Sequence, residues 1–326
     1  MGTAESKIAM ITDAIETNNS EKVYKIFEKS DDQGEIVDLN LKNKDGYYLL
    51  NYALAYNRFE IFKLLLLYAD DHNIKLNLNE KNKKGYYPLM STLIINNAEM
   101  VKLLIDYANT HGIILDVNGK LKDGNYPLLQ AIRHGNVEVL KLLMDYANEH
   151  EIILEVNEKD DTGDNPLYGS MLYNYIEKVQ LLMEYANQHQ IVLEVNEKNN
   201  NGSYPLLFAI HKDNIEIVKL LMEYSNHNLL ILELNAKDKF GNYPIRTAIV
   251  KNNLEMVKLL IEYANKNNIT LELKGENDKE DPLLLAINNN NVTIVKLLIE
   301  YANEHNIVFN SGILQLLQNK DNEKKV

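Results

Sequence analysis

The chain has 326 residues, of which 45% are hydrophobic and 25% charged, a balance that excludes a wholly disordered protein. Lys and Arg total 34 against 47 Asp and Glu, so the formal net charge is −13, which argues against a nucleic-acid backbone or an anionic bilayer as the partner. The absence of cysteine excludes disulfides, thiolate metal sites and cysteine nucleophiles.

Targeting signals are not recognisable in the sequence. Residues 1–7 lack the apolar core of a signal peptide, and no apolar run approaches the roughly 18 residues that a membrane span needs. We therefore expect a cytoplasmic protein with no membrane partner. Asparagine makes up about one residue in seven, a bias that an AT-rich genome would explain without any selection on the protein.

The chain repeats itself with a period of 39 residues. All six prolines follow this period, with one spacing of 38: Pro88, Pro127, Pro166, Pro205, Pro244 and Pro282. Leu49 takes the place of the proline one period earlier, and we count it as the first anchor. A glycine lies three residues before most anchors: Gly46, Gly85, Gly124, Gly163, Gly202 and Gly241. A tyrosine follows nineteen residues after each anchor: Tyr68, Tyr107, Tyr146, Tyr185, Tyr224, Tyr263 and Tyr301. The regularity predicts one tandem array and a single domain over residues 1–326.

The array has three parts in chain order. Residues 7–39 keep the spacing without the glycine and proline, and we interpret them as a degenerate N-terminal capping unit. Residues 40–309 form seven repeats. Residues 310–326 are predicted to contain a partial C-terminal capping helix and a charged tail.

Each repeat reads as a turn, a short helix, a longer helix and an extended return. In the third repeat Gly124 suits a turn with positive φ, and Pro127 suits the first turn of a helix. Residues 134–136 break this helix, and apolar residues at helical spacing predict a second helix over 137–149. Residues 152–156 read as extended chain that leads to the next turn.

A single helix pair of this kind cannot bury its apolar face, so neighbouring pairs must stack. Small residues fall four positions after each anchor, which lets adjacent first helices approach closely: Ala53, Thr92, Ala131, Ser170, Ala209, Ala248 and Ala286. We expect a bulky replacement of Ala131 to cost on the order of 1–3 kcal/mol through overpacking.

Residues 123–143 read DGNYPLLQAIRHGNVEVLKLL, and this string resembles an ankyrin repeat. The resemblance recurs in seven units and implies an all-α fold, an ankyrin-like α-solenoid of stacked helix-turn-helix units joined by hairpin-like loops. The period departs from the family's usual one of about 33 residues, and the six extra residues fall after the second helix. Tyrosine also replaces the threonine before proline, as at Tyr126, so the hydroxyl that caps the first helix is missing.

Six of the eight histidines lie at the end of a second helix: His72, His111, His150, His189, His227 and His305. A ladder of metal ligands is one interpretation. Histidine at a helix C-terminus is already explained by the helix macrodipole, and each repeat supplies only one histidine. We therefore predict a structural role, no metal site and no cofactor.

Catalysis is not indicated. The recurring Glu138 and Lys141 lie three residues apart, as expected of a solvated helix pair, and an active site would be unique where these are repeated. The sequence carries no nucleophile elbow, Walker A or HExxH pattern. We predict that the chain is not an enzyme.

The family resemblance implies binding of a partner protein on a concave face lined by first helices and turn tips. The positions that fall there vary between repeats, and they include aromatic side chains typical of binding hot spots together with polar anchors. The predicted partner-binding residues, with the aromatic ones expected to be exposed or half-exposed, are Tyr52, Tyr56, Arg133, Tyr173, Phe208, His211, Phe240 and Arg246.

These residues predict a monomeric scaffold or adaptor that binds another protein and no nucleic acid. Three alternatives remain open at the level of sequence. The chain could be a structural spacer, an interaction fragment of a larger multidomain protein, or a nucleotide- or RNA-binding array, which the acidic balance disfavours.

Overall fold

The structure, a computed structural model, describes residues 3–82, 84–275 and 281–309. Over these ranges the regular structure is helical, with one isolated antiparallel bridge between Lys42 and Tyr48. The all-α prediction is confirmed. The chain divides into two compact units, Met1–Asp161 and Thr162–Val326. The single domain and its boundaries at 7–39, 40–309 and 310–326 stay predictions, and the C-terminal cap and tail lie outside the described residues.

The first compact unit consists of four helix pairs. Its helices are α1 Ala4–Glu16, α2 Ser20–Asp32, α3 Leu49–Ala55, α4 Phe59–Asp71, α5 Pro88–Ile95, α6 Ala98–Thr110, α7 Pro127–His134 and α8 Val137–Glu149. The first helices of successive pairs (α1, α3, α5, α7) contact one another, and so do the second helices (α2, α4, α6, α8). The unit is therefore two layers of helices, as the stacking argument predicts.

The second compact unit repeats this arrangement. Its helices are α9 Pro166–Ser170, α10 Ile176–Gln188, α11 Pro205–His211, α12 Ile215–His227, α13 Pro244–Val250, α14 Leu254–Lys266, α15 Pro282–Asn288 and α16 Val292–Glu304. First helices α9, α11, α13 and α15 form one layer, and second helices α10, α12, α14 and α16 form the other.

Local chemistry sets where the helices begin. Proline occupies the first turn of α5, α7, α9, α11, α13 and α15, where its missing N–H is not needed. Most second helices begin after an asparagine whose side chain accepts a backbone N–H of the first turn. In α8, for example, Asn136 accepts the N–H of Val139 at 2.8 Å. The predicted start at Pro127 and end at Glu149 are confirmed for the third repeat, which forms the helix pair α7 and α8.

The layers meet over the predicted small residues. The seven small side chains four residues after each anchor are all buried, and so are larger apolar side chains on the same helix pairs, such as Leu128 and Leu143. A larger side chain at Ala131 would therefore meet a filled interior.

The six extra residues of each repeat form a segment that we call the strap. The straps are residues 35–40, 74–79, 113–118, 152–157, 191–196, 230–235 and 269–274. Burial alternates along them, with Ile231 and Glu233 exposed and Leu232 and Leu234 buried, as in an extended chain with one face on a core. The predicted extended return is confirmed.

Candidate partner-binding faces

Tyrosine hydroxyls fix five of the straps to the next repeat. Tyr263 of α14 is buried, and its hydroxyl accepts the backbone N–H of Leu232 at 3.1 Å. The same contact recurs within both compact units, at Val37–Tyr68, Leu115–Tyr146, Leu193–Tyr224 and Leu271–Tyr301. Burial is the main cause that raises the pKa of these phenols, so they stay neutral donors and acceptors. The straps are held rigidly as a result.

A second set of tyrosines lies at the N-caps of the first helices. As predicted, the side chain of Tyr126 makes no capping hydrogen bond. Its single hydroxyl proton is instead shared between the backbone oxygens of Glu155 and Glu158, at 2.9 and 2.7 Å. Tyr204 makes the equivalent pair of bonds to Glu233 and Ala236. The replacement of threonine by tyrosine thus exchanges a local cap for bonds to the strap that follows the second helix of the same pair and to the chain just beyond it.

Asparagine has a structural role that we did not predict. Asn196 ends one strap, and its amide Nδ2 donates to the oxygen of Ile231 at 2.7 Å while its Oδ1 accepts the N–H of Glu233 at 3.0 Å. Four other strap asparagines make the same pair of bonds to the strap that follows them, and they are Asn40, Asn79, Asn118 and Asn235. The signal was present in the sequence as one more residue type repeating every 39 positions.

The histidines belong to the same network between repeats. His72, His111, His150, His189 and His305 are C-cap residues of second helices, and each ring lies 4.0–4.3 Å from the ring of the tyrosine four residues earlier. The His111 Nε2 lies 3.1 Å from Asp70 of the preceding repeat. No group of three or more metal-ligating side chains occurs in the described part of the chain.

The predicted partner-binding residues lie on the first helices, just after them or at a turn tip, beginning with Tyr52 on α3 and Tyr56 at its C-cap. The predicted exposure of Tyr52 is wrong, because only 6% of it is exposed and its hydroxyl donates to Glu16 at 2.6 Å. Burial, with the Glu16 carboxylate as a further cause, raises its pKa well above the usual value. Tyr56 is exposed, with its ring centroid 4.8 Å from that of Tyr52.

A cleft of about 500 Å³ lies between α1 and residues 41–44 of this region. Glu5, Asp13 and Glu16 line one side, and Lys42 lines the other. Apolar side chains such as Ile8 and Leu41 complete the lining, and Glu16 of this cleft is the acceptor of the Tyr52 hydroxyl.

Arg133, the third predicted residue of the first unit, lies at the end of α7. Its guanidinium Nη1 is 2.5 Å from the Asp160 carboxylate, and both side chains are largely buried. The ion pair ties α7 to the turn that follows the next strap, so Arg133 presents only part of its side chain to a partner.

In the second unit, α11 carries Phe208 and His211. Phe208 is half-buried, with its ring 4.5 Å from that of Tyr168 and the Lys212 ammonium 5.3 Å from its centroid. His211 is exposed at the end of the helix. Tyr168, which we did not predict, supplies the aromatic platform under Phe208.

The second compact unit carries three further predicted residues, one before α11 in the chain and two after it. Tyr173 follows α9 and is 56% exposed, beside the exposed Tyr175 at a ring distance of 6.3 Å. Phe240 lies at a turn tip and is 77% exposed, held by a hydrogen bond from its N–H to Asp238. Arg246 on α13 is half-buried and donates to Asn242 at 2.8 Å. The expected exposure therefore holds for Tyr56, Tyr173, Phe208 and Phe240, and their binding role stays a prediction.

None of the described helices is long and apolar enough to cross a bilayer. The stacked helix pairs, the buried small residues and the straps that recur with the 39-residue period define the class as a helical repeat protein. A family model for ankyrin repeats in three copies matches five overlapping windows, 72–154, 111–192, 150–229, 187–270 and 226–311, which together cover most of the sequence. The chain belongs to the ankyrin repeat family.

Solved structures give the same fold. The ankyrin repeat domain of Bcl-3, described as a unique member of the IkappaB protein family, matches with a TM-score of 0.53 and 17% sequence identity. The match covers 78% of this chain and 97% of that domain. Among curated proteins, none matches the sequence.

Proposed function

We propose that this chain is a non-catalytic protein–protein interaction module that binds its partner through the first helices and turn tips. The observation that carries the proposal is that the positions that repeat are buried, whereas exposed aromatic residues occur at positions that vary between repeats. The second-helix tyrosines and the small interior residues are buried and repeat, whereas Tyr56, Tyr173 and Phe240 are exposed aromatic side chains that occur where the repeat pattern varies.

The hydrogen bonds that hold the straps to the helices favour binding of a partner by the first helices and turn tips. Because the straps and helices are tied together by side-chain hydrogen bonds to backbone, little conformational entropy is lost when a partner binds. Exposed aromatic residues on a rigid scaffold supply large contact area at low entropic cost.

The test is a paired capture from source-cell lysate. One bait is the wild-type chain, and the other carries Tyr56→Ala, Tyr173→Ala and Phe240→Ala; Tyr52 is left intact because it is buried. The control bait carries Tyr24→Ala, which removes from the second-helix layer a tyrosine that is 54% exposed, between Tyr56 at 41% and Phe240 at 77%. Equal melting temperatures establish that all baits are folded.

We expect a protein that binds the wild type and the Tyr24→Ala bait and is lost from the triple variant. Capture by all three baits would contradict the proposed faces. If no bait captured a protein, a spacer or a fragment of a larger protein would replace the interaction module as the interpretation.

A further inference from the structure

The straps expose apolar side chains that the first-helix faces do not include. At the second strap position, Ile114, Ile153, Val192 and Ile231 are each at least half exposed. Ile231 is 58% exposed, and Asn235, which ends its strap, donates to the backbone oxygen of Thr270 in the next strap of the same unit. Regularly spaced apolar side chains in water on a rigid backbone are typical of a binding surface.

Leu229, the residue immediately before the strap 230–235, adds a second, independent observation. This residue is 93% exposed and has φ of 55°, in the left-handed region that disfavours bulky side chains. The equivalent positions of other repeats carry residues that suit water, most of them also suited to a turn, and these are Asn73, Gly112, Glu151, Gln190, Asn268 and Asn306. A leucine at this position is unfavourable both for the backbone conformation and for hydration. A contribution to the stability of the fold therefore does not explain why leucine is present.

Acidic side chains lie beside the apolar ones. The fourth strap position faces the same way as the second because side chains alternate along extended chain. It carries a carboxylate in most repeats: Asp116, Glu155, Glu194, Glu233 and Glu272. The resulting strap face of the second compact unit presents Leu229 and Ile231 next to Glu233, with Val192 and Glu194 on the preceding strap.

We propose that this strap face, centred on Leu229 and Ile231, is a docking site for an amphipathic segment that carries apolar and basic side chains. The carboxylates select the basic partner by charge complementarity, and the leucine and isoleucine bury against its apolar side. A second copy of this chain is disfavoured because it would bring the same carboxylates face to face, and an anionic bilayer is disfavoured for the same reason.

The experiment uses the full chain and a fluorescent peptide of about 18 residues in which leucine and lysine follow an amphipathic helical pattern. The key variant is Leu229→Asn with Ile231→Thr. It introduces the residues that the next repeat already has, Asn268 and Thr270, and keeps every charge. The control variant is Leu67→Asn, which removes an exposed leucine of α4 that lies in a groove with Asp70 and Asp106.

We expect fluorescence anisotropy to show binding to the wild type and to Leu67→Asn, and an affinity about tenfold weaker for the double variant. Its melting temperature should be unchanged or higher, since asparagine suits a positive φ better than leucine. A peptide with glutamate in place of lysine should not bind, and Glu233→Gln should weaken binding of the lysine peptide.

Equal binding to the wild type and the double variant would overturn the proposal, and so would absence of binding to the wild type. Equal binding of the glutamate peptide would overturn the charge selection. If sedimentation showed wild-type dimers that the double variant abolished, the occupant would be a second copy. If the wild type bound phosphatidylcholine vesicles and the double variant did not, the occupant would be a lipid surface. Either result would replace the basic segment.

Discussion

The hydroxyl of Tyr263 accepts the backbone N–H of Leu232 at 3.1 Å, and through this bond one second helix holds the strap of the preceding repeat. The tyrosine is buried and comes from the position nineteen residues after the repeat anchor. A longer repeat leaves extended backbone whose N–H and C=O groups need partners, and tyrosine and asparagine side chains supply them.

Removal of this hydroxyl should destabilise the protein although the ring still fits. We expect Tyr263→Phe to lower the free energy of unfolding by about 1–3 kcal/mol, because the buried N–H of Leu232 loses its acceptor. Urea denaturation followed by circular dichroism measures the change. Tyr24→Phe, at an exposed position, is the control and should be close to neutral. Equal stability of both variants would mean that the Leu232 N–H finds another partner.

The buried phenols also predict alkaline sensitivity. Burial is the main cause that raises the pKa of Tyr107 to about 12, with the Asp70 carboxylate adding to the shift, whereas an unfolded tyrosine ionises near pH 10. Between these values the unfolded chain binds fewer protons than the folded one, so stability falls as pH rises. The pKa of Tyr126 and of Tyr204 is raised in the same direction.

We therefore expect the urea midpoint to be insensitive to tyrosine ionisation below about pH 10 and to decline steadily above it. Tyr107→Phe should show a shallower decline, which separates this tyrosine from lysines that titrate in the same range. A midpoint as steep in the variant as in the wild type would show that Tyr107 does not contribute.

The sequence predicted the period, the helix pairs and the small interior residues because all three depend on local pattern. Pro127 and Ala131 could be placed from spacing alone, and the structure confirms both. The burial of Tyr52 and its hydrogen bond to Glu16 could not be predicted, since Glu16 lies 36 residues earlier in the chain. The ion pair of Arg133 could not be predicted either, because its partner Asp160 lies 27 residues further along the chain.

The structural roles of asparagine were not predicted from the sequence. Its abundance looked like a composition bias, yet Asn196 binds the next strap, Asn214 caps α12 and Asn252 adopts a positive φ. One residue type meets three demands because its short amide both donates and accepts and tolerates the left-handed region. Composition cannot separate these roles; only the register of each asparagine within the repeat does.

The strap asparagines should therefore contribute to stability. We expect Asn196→Ala to cost about 1–3 kcal/mol, because the oxygen of Ile231 and the N–H of Glu233 both lose a partner. The control is Asn228→Ala, which removes a single bond from its amide to the oxygen of Tyr224 and should cost less. Chemical denaturation of both variants measures the difference. A smaller loss for Asn196→Ala would show that water replaces the strap bonds.

The turns between repeats lie too close together for a side chain at Gly124. This glycine has φ of 74°, and a Cβ there would lie 2.9 Å from Cα of Asp160 and from the N of Asp161 in the next turn. The Asp161 N–H donates to the oxygen of Asp123 at 3.2 Å, so the two turns cannot separate without breaking a hydrogen bond. Gly112 also has positive φ, at 60°, but nothing lies within 4 Å of the position of its Cβ.

A pair of alanine substitutions separates backbone strain from crowding. Gly112→Ala should cost about 1 kcal/mol, the penalty for alanine at positive φ. Gly124→Ala should cost about 2–4 kcal/mol, because the same penalty is joined by a steric clash with a neighbouring backbone. Urea denaturation of the two variants gives the difference directly. Equal costs would show that adjacent turns yield by several tenths of an ångström, and the turn spacing would then not be set by the absence of a side chain at this glycine.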